Sequence, residues 1–492
     1  MAPEPERQKS ESQRWFGPAL ALVAAVTAAR LLALIWNRTD LFVDESQYWL
    51  WGQSLDFGYY SKPPLIAWVI RAATTLAGSD APFWVRMPGA IFHGATALIL
   101  AALVARIGSA RAAIWTAAAY VTTPFTAVGS LLISTDTIMA PAYAAAIWGW
   151  LRLAQTGAAR HAVLTGVAVG LACMAKYAGA YFLLGAALSA LVLPRYRVGW
   201  WSLALLLASF LAVVAPNIVW NQTHQLQTVA HTLDNIGWVR GGASTGPALH
   251  PGHALRFVLD QFAVLGPVLF AALLVAATRR RLPADWRMLA LLALPPLLIV
   301  TGQAFLSRAY ANWALAAYFA GLPLAVLWLS DRMPRLLPVS LAINGAVAVL
   351  LPLLTILAPW PGIGGAPLMK RYLGRAELSR AILAAADQFG AASVYASDRD
   401  ILADLFYTGR GSGLTFYAPR RHEGPRNYYE EMFPLPDPPG PTLYVLTSPP
   451  ICRGAAAEPV QTINVARTAN ASQPVAAYLL PDGCTPDMGP DR

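Results

Sequence analysis

Long apolar runs separated by short polar loops dominate the chain. The clearest are Phe16 to Trp36, Ala112 to Leu132, Trp201 to Trp220, Phe257 to Ala277 and Leu336 to Leu357. Each is near the ~20 residues a helix needs to cross about 30 Å of hydrocarbon. With the less clean stretches included, the pattern predicts about eleven spans: 17–36, 84–105, 112–132, 137–153, 162–177, 179–193, 202–220, 257–277, 288–306, 312–329 and 337–357.

Three regions depart from this pattern. The first outer loop, Asn37 to about Phe83, is too long for a connector and rich in aromatics. Tyr48, Trp49, Trp51, Phe57, Tyr59, Tyr60 and Trp68 suit amphipathic helices lying in the bilayer interface. A second outer loop, Asn221 to about Arg256, is polar, rich in Gly and His, and has the character of a lid or substrate loop. After Pro359-Trp360-Pro361-Gly362 the pattern predicts a helix over 377–389 and short strands at Val394-Tyr395-Ala396, Thr415-Phe416-Tyr417 and Leu443-Tyr444-Val445-Leu446. The expected fold is a polytopic α-helical membrane domain over 1–357, followed by a small extracytoplasmic (periplasmic) α/β domain over 358–492.

Composition agrees. Of 492 residues, 56% are hydrophobic and 13% charged, against roughly 25% charged in an ordinary soluble domain. One soluble core could not hide that surplus, so it must face lipid. The net charge of +10 then reads as topology signals and anionic-lipid contacts, since no nucleic-acid motif accompanies it. Phe16 to Trp36 is longer than a signal-peptide core and no small-x-small cleavage site follows it, so it reads as an uncleaved first span.

The short loops alternate in charge. One set carries Arg7, Lys9 and Arg14; Arg106 and Arg111; Arg152 and Arg160; Arg195 and Arg197; Arg279, Arg280, Arg281 and Arg287; Arg332 and Arg335. The positive-inside rule makes that set cytoplasmic, and an odd number of spans puts the C-terminal region outside. An oxidising compartment there would permit a disulfide between Cys452 and Cys484, whereas Cys173 reads as a small buried residue within a span.

In so apolar a chain, ionisable residues at span ends are functional candidates by default. Asp44 and Glu45 follow the first span. Asp44 is either a general base for an acceptor hydroxyl or the N-cap of a helix beginning at Ser46. In Ser61-Lys62-Pro63-Pro64 two prolines stiffen the turn that presents Lys62, which either holds a phosphate or snorkels. Asp136, in Ser134-Thr135-Asp136-Thr137, either caps the next span or shares a site with Asp44. Lys176 lies within an apolar segment and needs a partner or water. Arg308, in Ser307-Arg308-Ala309-Tyr310-Ala311-Asn312-Trp313, sits at the outer boundary. Together these predict one outer-leaflet cavity for a lipid phosphate. No P-loop, G-x-G-x-x-G, G-x-S-x-G, paired-Cys or H-E-x-x-H motif is present, which disfavours a nucleotide-driven reaction. His224, His231, His250 and His253 match no standard zinc spacing.

Asp44-Glu45-Ser46-Gln47-Tyr48, Lys62-Pro63-Pro64-Leu65, Asp136 and Ala175-Lys176-Tyr177 resemble the GT-C superfamily of polyprenyl-phosphate-sugar glycosyltransferases, the branch of protein O-mannosyltransferases and lipid A aminoarabinose transferases. The likeness runs over about the first 330 residues. The Arg308 to Trp313 segment and the stretch from Asp398-Arg399-Asp400 to Tyr407 look like the bacterial subgroup that decorates lipopolysaccharide or related envelope glycans. The resemblance implies Asp44 and Asp136 as catalytic residues. Glu45, Tyr48, Lys62, Lys176, Tyr177, Arg308 and Tyr310 would contact the substrates, with Lys62, Lys176 and Arg308 on the donor phosphate.

Relatives often carry an acidic residue, sometimes linked to a metal, where this chain has Ser61, and Arg where it has Gln47. No residue is therefore assigned to a metal, and a divalent ion stays an open cofactor. The implied partners are an undecaprenyl-phosphate-linked sugar, a lipid or glycan acceptor and membrane lipids, with no nucleic acid. The implied location is a bacterial inner membrane, crossed many times, with the active site facing the periplasm. The function expected is inverting sugar transfer to lipid A, lipopolysaccharide core or another envelope glycan. The alternatives are protein O-mannosylation and a lipid-linked-sugar flippase. Against a flippase, the ionisable cluster is expected at one face and no inverted repeat is visible.

Overall fold

The computed structural model describes residues 14–235, 249–360, 362, 367, 369–421, 424–437, 440–452, 455–464, 475–481 and 484–485. They form two compact units. The first comprises Met1–Ile35, Asp56–Val69 and Arg86–Pro352, the second Trp36–Leu55, Ile70–Val85 and Leu353–Arg492.

The first unit is helical. Among the described residues, five helices are long and apolar enough to cross a membrane: Phe16–Ile35, Pro82–Ile107, Trp200–Thr223, Ala284–Leu306 and Leu336–Ile356. Their outer faces stay apolar, with Leu32, Trp200, Trp201, Leu298 and Val349 exposed, a surface that only lipid would cover without penalty. Ala316–Arg332 lies inside, buried on nearly every face. Helices also occupy the other expected spans, but two of those are broken. Residues 112–132 form Ala110–Thr122 and Pro124–Leu131, because Pro124 has no amide to continue the ladder. Residues 257–277 form Pro251–Leu265 and Pro267–Ala277, bent by 116°. Gly266 between them has φ +95° and Asn344 packed where a Cβ would stand, while the Asn344 amide donates to the freed Leu265 carbonyl at 3.2 Å.

Small residues set the closest helix contact. Gly166 and Gly170, one turn apart on Ala159–Ala175, face Trp200–Thr223. A Cβ on Gly166 would lie 2.2 Å from the Leu206 carbonyl oxygen, the close approach typical of small-xxx-small pairs in membranes. Gly166→Ala is expected to cost about 1–3 kcal/mol through overpacking, read as a lower melting temperature in detergent. An unchanged melting temperature would show that these helices separate freely.

The second unit is an α/β domain. Its main sheet runs in the order Thr415–Tyr417, Ser393–Ala396, Thr442–Leu446, Val475–Leu479, Gln461–Ile463, with the first three strands parallel. The predicted strands all form, and the predicted helix is Arg375–Gln388. Ile382, Val394, Ile401, Leu405, Phe416, Leu443 and Val475 build the core, which Val43 of the first outer loop joins. Cys452 and Cys484 are disulfide-bonded, and Cys173 of the first unit is buried.

The first outer loop holds helices Val43–Gln53 and Leu65–Ala77. Its aromatics do not form the exposed interfacial belt expected of them: Tyr48, Trp49, Trp51, Tyr59 and Tyr60 are buried, and Phe57 is the exposed one among those seven. The reason is packing, with Trp51 edge-on to Tyr428 and Trp49 edge-on to Tyr407. In the second outer loop, Gln227–Asn235 is helical, and the lid reading otherwise falls largely on 236–248, outside the described residues.

Asp404, on the helix Arg399–Thr408, is buried, and burial raises its pKa above the usual carboxylate value although Thr408 and Ser379 donate to it. The folded state thus binds this proton more tightly than the unfolded one. That contribution is complete below the unfolded value of 3.8 and is lost as pH rises through the raised folded pKa. Asp404→Asn is expected to raise the melting temperature at pH 7 relative to pH 4. A difference between variant and parent that does not change with pH would refute it.

Candidate active site

In the second unit, the start of Val43–Gln53 decides what Asp44 can do. Glu45 caps the helix: its Oε2 accepts from the Phe42 amide at 2.9 Å, and the side chain is buried. The N-cap reading of Asp44 is therefore corrected, because Phe42 holds that position and Glu45 supplies the carboxylate. Asp44 faces Arg399 instead. Arg399 Nη2 donates to Asp44 Oδ1 at 2.6 Å, and Nε and Nη2 donate to Gln47 Oε1 at 3.0 and 2.8 Å. Asp44 keeps 47% of its side chain exposed. Arg399 opens its own helix, behind Asp398, whose carboxylate accepts from the Asp400 amide at 2.7 Å. Burial pulls the Arg399 pKa down, but the Asp44 charge and hydrogen bond, with Tyr429 and Asp400, leave it raised. The cation is permanent, so it holds Asp44 in one orientation. Tyr48 lies buried beside Trp51, ring centroids 5.2 Å apart.

In the first unit, Asp136 is also released from capping. Ser134 caps Thr135–Thr156 by accepting from the Thr137 amide at 3.3 Å. Both Asp136 oxygens accept from Lys176 Nζ, at 2.7 and 2.8 Å. This is the partner an ammonium in an apolar segment requires. Lys176 reaches it from an extended residue that ends Ala159–Ala175, just before the 3-10 turn Tyr177–Ala180. Asn312 Nδ2 approaches Asp136 Oδ2 at 3.5 Å from the segment that carries Arg308.

Tyr177 continues the network toward the Lys62 turn. Its hydroxyl donates to Asn217 Oδ1 at 3.0 Å and accepts from Asn221 Nδ2 at 3.1 Å. Asn217 Nδ2 donates to the Phe57 carbonyl at 2.6 Å, and Trp220 Nε1 to Asp56 Oδ2 at 2.7 Å. The Tyr59 amide closes the turn on the Lys62 carbonyl at 3.1 Å. Lys62 is half-buried, with Pro63 and Pro64 buried behind it. Arg308 and Tyr310 are exposed, and the Tyr310 ring meets Trp313 at 5.5 Å.

Among the described residues no group of three or more His, Cys, Asp or Glu side chains could hold a metal ion. His224 stacks on Trp220 at 4.1 Å, His250 on His253 at 4.8 Å, and His231 packs on Tyr60 at 5.1 Å. Among the described residues these imidazoles stack on neighbouring rings and do not form a metal-binding group.

The sequence did not single out Asn217 and Asn221, although two amides one turn apart in an otherwise apolar helix were a usable signal. Arg399 stood in a noted stretch, but nothing pointed to Asp44 across 355 positions.

Long apolar helices around a nearly buried Asp136–Lys176 ion pair mark a membrane-embedded protein. The chain belongs to the GT-C superfamily of polyprenyl-phosphate-sugar glycosyltransferases. Residues 61–220 match the family model for dolichyl-phosphate-mannose-protein mannosyltransferase. The lipid A galacturonosyltransferase RgtD of Rhizobium johnstonii is 41% identical over 425 residues, 85% of this chain and 88% of that protein. The crystal structure of ArnT from Cupriavidus metallidurans bound to undecaprenyl phosphate shares the fold at 16% identity and TM-score 0.64, covering 93% of this chain and 97% of that one. Its apo form matches at 15% identity and TM-score 0.60, covering 87% and 92%. The protein is thus a bacterial, membrane-embedded glycosyltransferase.

Proposed function

We propose that this enzyme transfers a uronic acid residue from an undecaprenyl-phosphate carrier to lipid A, with inversion at the anomeric carbon. The observation that carries the mechanism is Asp44: spared from capping, half-exposed and oriented by Arg399. The 41%-identical relative, a lipid A galacturonosyltransferase, supports the acceptor and the sugar. Undecaprenyl phosphate bound to ArnT, which has the same fold, supports the carrier.

In the reaction an acceptor hydroxyl oxygen attacks the anomeric carbon, and the bond from that carbon to the phosphate oxygen breaks. Asp44 takes the hydroxyl proton, and the polyprenyl phosphate leaves as an anion. Cations stabilise that leaving group without a general acid. Lys62, Lys176 and Arg308 have this role in the proposal, with Asp136 holding Lys176 and Asn312 in place. Glu45 fixes the start of the helix that carries Asp44, and Tyr177 ties the lysine segment to Asn217 and Asn221.

The proposed setting is the bacterial inner membrane, crossed about eleven times, with Asp44 and the α/β domain 358–492 on the periplasmic side. The charge alternation of the loops supports this orientation. Mass spectrometry of lipid A from a deletion strain tests the function. The expected spectrum lacks one uronic acid addition, restored by the wild-type gene. Unchanged lipid A in the deletion strain would overturn the proposed acceptor.

A further inference from the structure

The second unit contains a cleft that the transfer chemistry does not use. Its volume is about 790 Å³, and it lies between the helix Val43–Gln53, Asp80 and the segment 406–416. A cavity of that size, mostly apolar with a few polar groups, suits a small-molecule headgroup. The apolar lining includes Leu50, Phe406, Leu414 and Phe433.

Arg410 dominates the polar lining. Its guanidinium carbon lies 4.4 Å from the Tyr407 ring centroid and 5.8 Å from that of Trp49. Nη1 donates to the Tyr407 carbonyl, which fixes the plane of the fork. Asp80 is the acid next to it, but Asp80 Oδ1 already accepts from Trp49 Nε1 at 2.9 Å, and its Oδ2 stands 4.0 Å from Arg410 Nε. Among the described residues Nη2 has no acceptor, and 41% of the side chain is exposed. A second cation adjoins the lining, as Arg71 Nη1 donates to Gln53 Oε1 at 2.8 Å. A guanidinium with a fixed plane and an open edge is built to pair an oxyanion. The aromatic and aliphatic wall suits the C–H face of a sugar and the start of an acyl chain.

We propose that this cleft binds the phosphorylated sugar headgroup of the acceptor glycolipid, with Arg410 pairing its phosphate and Phe406 and Phe433 under the saccharide. The proposal rests on transfer to lipid A as argued above and adds where that acceptor is recognised. A sugar phosphate could also come from the donor. The acceptor is favoured because the cleft is lined by the helix Val43–Gln53, which carries Asp44, the group proposed to take the acceptor's proton, whereas the cations proposed for the donor phosphate lie in the first unit.

The test uses the full-length enzyme in lipid vesicles, with donor and either lipid A or its dephosphorylated form. Wild type is expected to prefer the phosphorylated acceptor in kcat/KM by about tenfold to a hundredfold, the size of one lost charged hydrogen bond. Arg410→Gln should raise KM for that acceptor by a similar factor and bring the preference close to unity. Gln53→Glu places a carboxylate in the same lining beside Arg71, keeps the fold if Arg410→Gln does not, and should also lower the preference. A preference unchanged in both variants overturns the proposal. So does a rise in donor KM in place of acceptor KM, which would give the cleft to the donor. Binding of the lipid A headgroup without donor, followed by tryptophan fluorescence, separates the two claims. Arg410-dependent binding without transfer refutes the proposed function and leaves the cleft, whereas transfer without Arg410-dependent binding refutes the cleft.

Discussion

Asp44→Asn is expected to lower the transfer rate about 10²- to 10⁴-fold, the usual contribution of a positioned general base, while expression and melting temperature stay near wild type. The asparagine oxygen can still accept from Arg399 and the Glu45 cap is untouched, so the helix start is preserved. What disappears is a group able to take the acceptor proton. The check is single-turnover transfer by enzyme in vesicles, with donor and acceptor saturating. A variant within about threefold of wild type, far short of a general base's contribution, would remove Asp44 from the chemistry. Arg399→Gln should have a smaller effect. It removes the guanidinium that holds Asp44 in one orientation, so transfer should fall by about tenfold through lost positioning of the base, with the melting temperature near wild type. Transfer at the wild-type rate would remove Arg399 from positioning the base.

The second large effect concerns stability and activity together. Asp136 and Lys176 form a bidentate pair with only 8% and 16% of their side chains exposed. Asp136→Ala leaves a nearly buried ammonium without its carboxylate, expected to cost about 3–5 kcal/mol. The measurement is thermal unfolding in detergent. Replacing both residues together, Asp136→Asn with Lys176→Met, removes the uncompensated charge and should restore most of that stability. Transfer should remain low in the double variant if Lys176 also attracts the donor phosphate. Full transfer by the double variant would show that the pair holds helices together and nothing more.

Much of this protein was readable from local pattern. Lipid solvation demands runs of fixed length, so the helices appear where apolar runs lie, and the strands at 393–396, 415–417 and 442–446 appear where β-branched and aromatic residues cluster between turns. The candidate ionisable residues stood out for the same reason, since a charge in an apolar chain has few tolerable places. The breaks within two expected spans were less legible. Pro124 and the Gly266-Pro267 step are visible in the sequence, but a membrane helix tolerates such residues whenever a neighbour satisfies the freed carbonyl. At Gly266 that neighbour is Asn344, 79 positions from the carbonyl it serves.

Composition, run length and short motifs were enough to reach the solvent of this fold and its family, and to single out the charged side chains proposed for the site. Which carboxylate does what was a matter of packing in three dimensions. Asp44 and Glu45 are adjacent and chemically alike, and only backbone geometry makes Glu45 the cap and leaves Asp44 to Arg399. Burial of Trp49 and Trp51 was likewise settled by partners from the C-terminal region. Hydrogen bonds and ring contacts depend on distances of a few ångströms between residues hundreds of positions apart, and no linear pattern encodes those distances.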